Sequence, residues 1–284
     1  MIHNPIKDHL EFFDFELFYE RLLEDESRSQ AWRLHHLRQE DFSKHIMHRK
    51  KLTKSFVEKG ANETEIPVKY SFTEDDFFET SILDILHKRR SIPLYEMSNN
   101  WTYQDLEKLL SLSAGISHQK QESHKENKSE DTALRVYPSG GLMYSVNLCL
   151  YSRNVSGLPD GMYYYDANQS NLKKLGGART DAELEEMFPM TDFNLESKTK
   201  EIENISVMMF LVVDFERSFQ KYGRLAYRLG LLEAGHIAQN IQLISTAINR
   251  NSHPYCGFYA DRVEEELGIR KDKYKHCFYT LFLG

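Results

Sequence analysis

Apolar residues switch between two spacings along this chain, and each switch marks an element. Ile82, Ile85 and Leu86 recur near the helical period, which predicts a helix over about 78–90 with all three on one face. It ends in the polar, basic run His87-Lys88-Arg89-Arg90-Ser91. Thr102 with Asp105 three residues on is a near capping box, so a second helix should start there and run through LEKLLSLSA to a stop at Gly115. Residues 118–131 (HQKQESHKENKSED) have almost no apolar positions and read as a mobile loop.

Beyond Leu134 the period shortens. VNLCLYSR (146–153) reads as a buried strand, and GMYYYD (161–166) with NLKKLG (171–176) as a hairpin around a polar turn. Asp181 to Phe188 predicts a short helix. ISVMMFLVV (205–213) is apolar throughout, the pattern of a central strand covered on both faces. Residues 224–249 form one long helical pattern, apolar around most of its circumference, which the domain or a second subunit must bury. A helix at 260–267 and a strand at 276–284 close the chain. Hairpins, helices and a late strand in this order favour an α+β sandwich of helices around one mixed sheet.

Residues 1–75 differ from the rest. An acidic start and a basic stretch from Arg28 to Lys59 carry two aromatic–aliphatic patches, Phe12 to Phe18 and Trp32 to Phe42. This segment reads as a helical docking arm, and residues 76–284 as the main domain. His35-His36 invites a metal reading, but no further ligand stands at a suitable spacing, so a surface or partner-facing role is preferred.

Composition narrows the function classes. With 284 residues, 40% of them hydrophobic, the chain can build one large core; a net charge of −7 gives no reason to expect a nucleic-acid partner. No run approaches the roughly 18 apolar residues of a membrane span, and the start lacks a signal-peptide pattern, so the protein is expected to be cytoplasmic. Cys149, Cys256 and Cys277 are odd in number and form no CxxC pair, which reads as reduced thiols, with Cys149 in the core and Cys256 in a turn.

Three segments carry possible chemistry. Arg89-Arg90-Ser91 offers guanidinium groups for a phosphate and a hydroxyl for a polyol chain, although basic residues also gather at helix C-termini for dipole reasons alone. Pro138-Ser139-Gly140-Gly141 lets the backbone approach a planar ring or phosphate closely, or forms a simple connecting turn. Lys221-Tyr222-Gly223 precedes Tyr227-Arg228 and Leu232-Glu233-Ala234-Gly235-His236. Glu233 and His236 read as satisfied polar groups in a buried helix, the preferred reading for His236.

Together these strings resemble the SagB-type dehydrogenases of the nitroreductase-like superfamily. The matching phrases are PSGGLMY at 138–144 with Val146, NVSGLPDGMYYYD at 154–166, and KYG, AYR, LLEAGH and AQN between 221 and 240; Arg89-Arg90-Ser91 resembles the superfamily's opening flavin motif. The likeness runs over roughly 80–284. It implies a nitroreductase-like three-layer α+β sandwich, a mixed, mainly antiparallel sheet flanked by helices, in an intertwined homodimer with FMN held between two subunits. It further implies oxidation of peptide azolines to thiazoles or oxazoles, beside the cyclodehydratase subunits of a synthetase that acts on an azoline-containing precursor peptide. Carried over by position, Arg89, Arg90, Ser91, Pro138, Ser139, Gly140, Gly141 and Gly257 would bind the cofactor. Lys221 would be the base that takes the proton and Tyr222 its hydrogen-bonding or proton-relay partner, while hydride passes to FMN N5 and O2 reoxidises the flavin. The chain departs from the family pattern at Leu142, Ser145 and Asn147, and Pro93 replaces a later Arg. Two other functions compete: an NAD(P)H-dependent nitro- or quinone reductase on the same fold, and a non-catalytic docking subunit.

Overall fold

Side chains alternate across a β-strand, so a strand that is apolar at every position needs cover on both faces. The computed structural model, described here over residues 64–70, 81–120, 132–188 and 201–284, supplies that cover as three layers. Its main sheet has seven strands: β1 (Glu65–Pro67), β4 (Val146–Ser152), β5 (Gly161–Asp166), β6 (Asn171–Gly176), β7 (Val207–Asp214), β8 (Ser252–Tyr255) and β9 (Lys275–Leu283). Their spatial order is β1-β6-β5-β4-β7-β9-β8. Every ladder in it is antiparallel. The expected mixed sheet is thus a wholly antiparallel one among the described residues.

The predicted hairpin β5–β6 forms, with Tyr165 opposite Leu172. On β7, Met209, Leu211 and Val213 face one core, which includes Leu106, Leu109 and Leu110 of helix α2 (Tyr103–Ala114) and Ile237 and Ile241 of helix α5 (Leu225–Ala247). Met208, Phe210 and Val212 face the other core, with Leu184 of α3 (Asp181–Glu185) and Val263 of α6 (Ala260–Glu266). Each such side chain taken fully out of water contributes roughly 1.5–3 kcal/mol of transfer free energy, so β7 anchors both layers.

Local signals explain the helices. Thr102 accepts a hydrogen bond from the Asp105 amide and Asp105 reaches back to the Thr102 amide at 3.1 Å, completing the capping box that starts α2. Ser81 accepts from the Asp84 amide to start α1 (Ile82–Lys88), and Thr180 with Glu183 caps α3. In α5 the stripe Ala226, Gly230, Ala234, Ile237, Ala238 and Ile241 is buried. Gly230 lets α5 approach the sheet: a Cβ there would lie 2.6 Å from Val213 Cγ1.

The structure corrects several expectations. Of the α1 face, Ile85 is buried, but Ile82 and Leu86 are 59% and 51% exposed. His118, Gln119 and Lys120 are not loop: they belong to β2 (Ile116–Lys120), which pairs with β3 (Thr132–Arg135) in a separate two-stranded sheet. The rest of that predicted loop lies outside the described residues. His236 is exposed rather than a buried polar group. The pattern also missed β8, whose Pro254 suits only an edge strand, and a short helix, α4 (Glu216–Tyr222). Most of the expected arm, with His35 and His36, lies outside the described residues; inside it, β1 pairs with β6 at the sheet edge. Cys149, Cys256 and Cys277 are free thiols, Cys149 and Cys277 buried and Cys256 exposed. Among the described residues no helix is long and apolar enough to cross a membrane.

Candidate active site

The loop between β3 and β4 starts at Pro138 and turns left-handed. Gly141 sits at φ 62° and ψ 27° inside a short 3-10 turn, and Leu142 and Tyr144 also have positive φ. Ser139 closes the turn, because its Oγ accepts from the Tyr144 amide at 2.8 Å. Its own proton goes to Glu233 Oε2 at 2.5 Å, and Glu233 Oε1 accepts from the Val146 amide at 2.8 Å. Glu233 is 3% exposed on α5. Burial pushes its carboxyl above the usual carboxylate range, opposed by the hydrogen bonds from Ser139 and Val146 and by the Arg135 charge. Tyr137 lies nearby, its hydroxyl pushed up by burial and then by Glu233.

Arg135 and two tyrosines shore up the same loop. The Arg135 amide donates to Tyr144 Oη at 3.2 Å, and its guanidinium stands 5.6 Å over the Tyr144 ring. Tyr137 meets Tyr144 edge to face at 5.8 Å.

Helix α4 brings the second motif to this loop. Gly223 ends α4 at φ 52°, with its amide donating to Phe219 O, so Lys221 and Tyr222 fall in the last turn. Lys221 Nζ donates to Gly141 O at 3.1 Å and stands 5.0 Å from the centre of the Tyr222 ring. A Cβ added at Gly141 would fall 1.7 Å from Tyr222 Oη and 2.8 Å from Lys221 Nζ. Two motifs 80 residues apart therefore meet at a backbone with no side chain, and the space a side chain would take is filled by the Tyr222 hydroxyl and the Lys221 amine. Gly140 packs on Leu229 of α5, where a Cβ would lie 3.0 Å from Leu229 Cδ2.

The first motif stands elsewhere in the chain. Arg89, half-buried, reaches Gln242 Oε1 at 3.2 Å. Gln242 lies nine residues beyond Glu233, the partner of Ser139, on α5, about 13 Å at the helical rise, so the Arg89 and Ser139 side chains are bound at separate places on that helix. Arg90 folds back onto the carbonyls of His87 and Arg89 at 2.7 and 2.8 Å, the ordinary role of a basic residue at a helix end. Ser91 is exposed, and Gly257 sits beside the Tyr255 ring, 3.1 Å from where its Cβ would be.

Glu233 is the residue whose part sequence reasoning undervalued. It was readable as a satisfied buried polar group, and it is one; no local pattern announces that it joins two segments 94 and 87 residues away. Of the positions that depart from the family pattern, Ser145 is buried with its carbonyl accepting from the Asp214 amide, Leu142 is exposed, and Asn147 reaches Ser145 O at 3.4 Å.

Comparison with known proteins sets these residues in context. The model of the nitroreductase family matches residues 86–284. A nitroreductase of Methanocaldococcus jannaschii is 24% identical over 201 residues, covering 69% of this chain and 88% of its own. Three solved structures share the fold. A nitroreductase of Ralstonia eutropha superposes with a TM-score of 0.57 at 15% identity, covering 82% of this chain and 96% of its own. One from Anabaena variabilis gives 0.55 at 20% identity over 85% of this chain, which spans about half (46%) of that longer protein. A chain of the E. coli microcin synthetase McbBCD complex, solved with truncated pro-MccB17 bound, gives 0.53 at 15% identity, covering 99% of this chain and 97% of its own.

Proposed function

The chain belongs to the nitroreductase family, and from that premise we propose that it is an FMN-dependent dehydrogenase that oxidises azoline rings in a modified peptide to azoles. The observation that carries this reading is the contact of Lys221 and Tyr222 with Gly141. A reductase that takes hydride from a nicotinamide needs only the flavin; a dehydrogenase acting on a carbon acid also needs a base, and here a lysine is held at the loop of the candidate ring site. The resemblance to the SagB-type dehydrogenases supports the same reading, as does the fold shared along 99% of the chain with a synthetase subunit.

The donor set fits FMN. Arg89 and Ser91 suit the phosphate and ribityl chain, and Pro138 with the paired glycines suits the ring. Bound there, FMN would supply the two-electron acceptor for the azoline hydride, with O2 as the terminal oxidant. The rest falls to the protein. Lys221 donates an N–H to Gly141 O, which holds its amine at the loop, and it is the base assigned to the proton on the adjacent ring carbon. Tyr222 packs against the core of α2 and α5 and limits the space in which the lysine moves. The separation of Arg89 from Gly141 supports a site completed by a second copy of the chain. So do the exposed Ile82, Leu83, Leu86 and Leu232, apolar surface that a homodimer would cover.

Residues 1–75 then serve to dock on the cyclodehydratase subunits that supply the azoline. The test is an absorption spectrum of the purified protein, followed by incubation with an azoline peptide, with and without cyclodehydratase. A yellow protein that removes two hydrogens per ring, and a Lys221→Ala variant that keeps FMN but loses turnover, are expected. Full azoline oxidation by Lys221→Ala sinks the base assignment. Rapid bleaching by NADPH without ring oxidation marks a nitro- or quinone reductase, and a colourless protein that cannot be loaded marks a non-catalytic subunit.

A further inference from the structure

The loop that carries Gly141 is strained. Leu142 and Tyr144 have side chains yet sit at φ 56° and 46°. Such backbone persists only where the surroundings over-determine it. Here one carboxyl group joins both ends of the turn, beside the Arg135 and Tyr137 contacts to Tyr144. Glu233 takes the Ser139 hydroxyl on Oε2 and the Val146 amide on Oε1, so both ends of the turn hang from a residue buried in α5. Between those ends, the Gly141 carbonyl holds Lys221.

Hydrogen-bond accounting then decides what Ser139 can do. A serine hydroxyl has one proton and two acceptor lone pairs. The proton goes to Glu233 and one lone pair takes the Tyr144 amide. What remains is an acceptor, and an ionised phosphate offers only acceptors. Ser139 in this state has nothing to donate to a phosphate.

Resting on the flavin reading above, we propose that Glu233 is a positioning residue: it fixes the 139–146 loop so that the Gly141 carbonyl orients Lys221, and Ser139 serves that carboxyl rather than the cofactor. Arg135 and Tyr137 are the charged and titratable groups that face Glu233, beside the Ser139 and Ser145 segment. Glu233→Gln keeps the shape but turns an acceptor into a donor. The amide oxygen of the variant would still take the Val146 N–H, while its amide nitrogen would point hydrogens at Ser139, whose own proton loses its acceptor.

The experiment compares the wild type with Glu233→Gln, Ser139→Ala and the double variant, all full-length. It measures amide exchange at Tyr144 and Val146 in the cofactor-free protein, FMN affinity from quenching of flavin fluorescence, and kcat and KM on an azoline peptide. Glu233→Gln is expected to speed exchange at Tyr144 by up to about tenfold, as for loss of the hydrogen bond that holds its Ser139 acceptor in place, and to lower kcat more than it raises KM. Ser139→Ala should speed exchange at Tyr144 while leaving Val146 slow. Added to Glu233→Gln it should cost little further, because the two act as one unit. Unchanged exchange in Glu233→Gln overturns the proposal. So does FMN binding weakened by Ser139→Ala but untouched by Glu233→Gln, which would make Ser139 a direct ligand. If the wild type takes no FMN, the flavin reading fails, and exchange in the cofactor-free protein alone decides the role of Glu233.

Discussion

Adding a single methyl group at Gly141 tests the centre of the candidate site. Two costs stack in Gly141→Ala. The backbone sits at φ 62°, where an alanine costs roughly 1–2 kcal/mol more than glycine. The new Cβ would also fall 1.7 Å from Tyr222 Oη and 2.9 Å from Cζ of the same ring, so the ring itself must move. Tyr222 is packed against the core of α2 and α5, and overpacking of that kind costs about 1–3 kcal/mol. Together the loss is about 2–5 kcal/mol, which for a domain of this size lowers Tm by roughly 2–4 °C per kcal/mol. Gly140→Ala is the control. Its neighbour is the flexible end of Leu229 at 3.0 Å and its φ is unremarkable, so it should cost under about 1 kcal/mol. Thermal melts of both variants, with FMN titration and azoline turnover alongside, make the assay. Gly141→Ala should melt well below Gly140→Ala and lose turnover, since Lys221 Nζ stands only 2.8 Å from the added methyl. A Gly141→Ala protein that melts and turns over like the wild type refutes the contact between the glycine loop and the Lys-Tyr pair.

Two further outcomes follow from the packing of Glu233 and of Thr102. Glu233 is held above the ordinary carboxylate range by burial, so its neutral form favours the folded state: that contribution is full below about pH 4 and is lost as pH rises through the raised folded value. Urea unfolding across pH should therefore show the wild type losing stability relative to Glu233→Gln as pH rises from about 4, and a relative gain over that range would contradict the burial argument. Thr102→Ala removes half of the capping box at the start of α2 and should cost about 1 kcal/mol, or a few degrees in Tm; an unchanged melt would mean that Arg250, bound to Asp105 at 2.7 Å, holds that helix end alone.

What the sequence disclosed and what it withheld divide along one physical line, the range of the interactions. Elements with a local cause could be read off: the apolar run of β7, the turn between β5 and β6, and the Thr102–Asp105 cap all follow from neighbours within a few residues. Edge strands gave little signal, because β1 and β8 are three and four residues long and β2 is polar, with pairing rather than burial holding them. Periodicity named the apolar face of α1 and of α5 but not what covers it, which is why Ile82 and Leu86 stand exposed on this chain and His236 points outward. The site shows the same division. Pro138 to Gly141 and Lys221-Tyr222 carry little signal singly and were visible only through the resemblance of several strings taken in order. Glu233 was one carboxylate in an apolar helix, and only the fold reveals that it carries both ends of the glycine loop. A motif is read from neighbours, whereas the group that hydrogen-bonds both ends of this loop is distant in sequence. Arg89 extends the argument. Its contact with Gln242 sets it apart from Gly141 along α5, a separation between two motifs that no local pattern in the sequence announces.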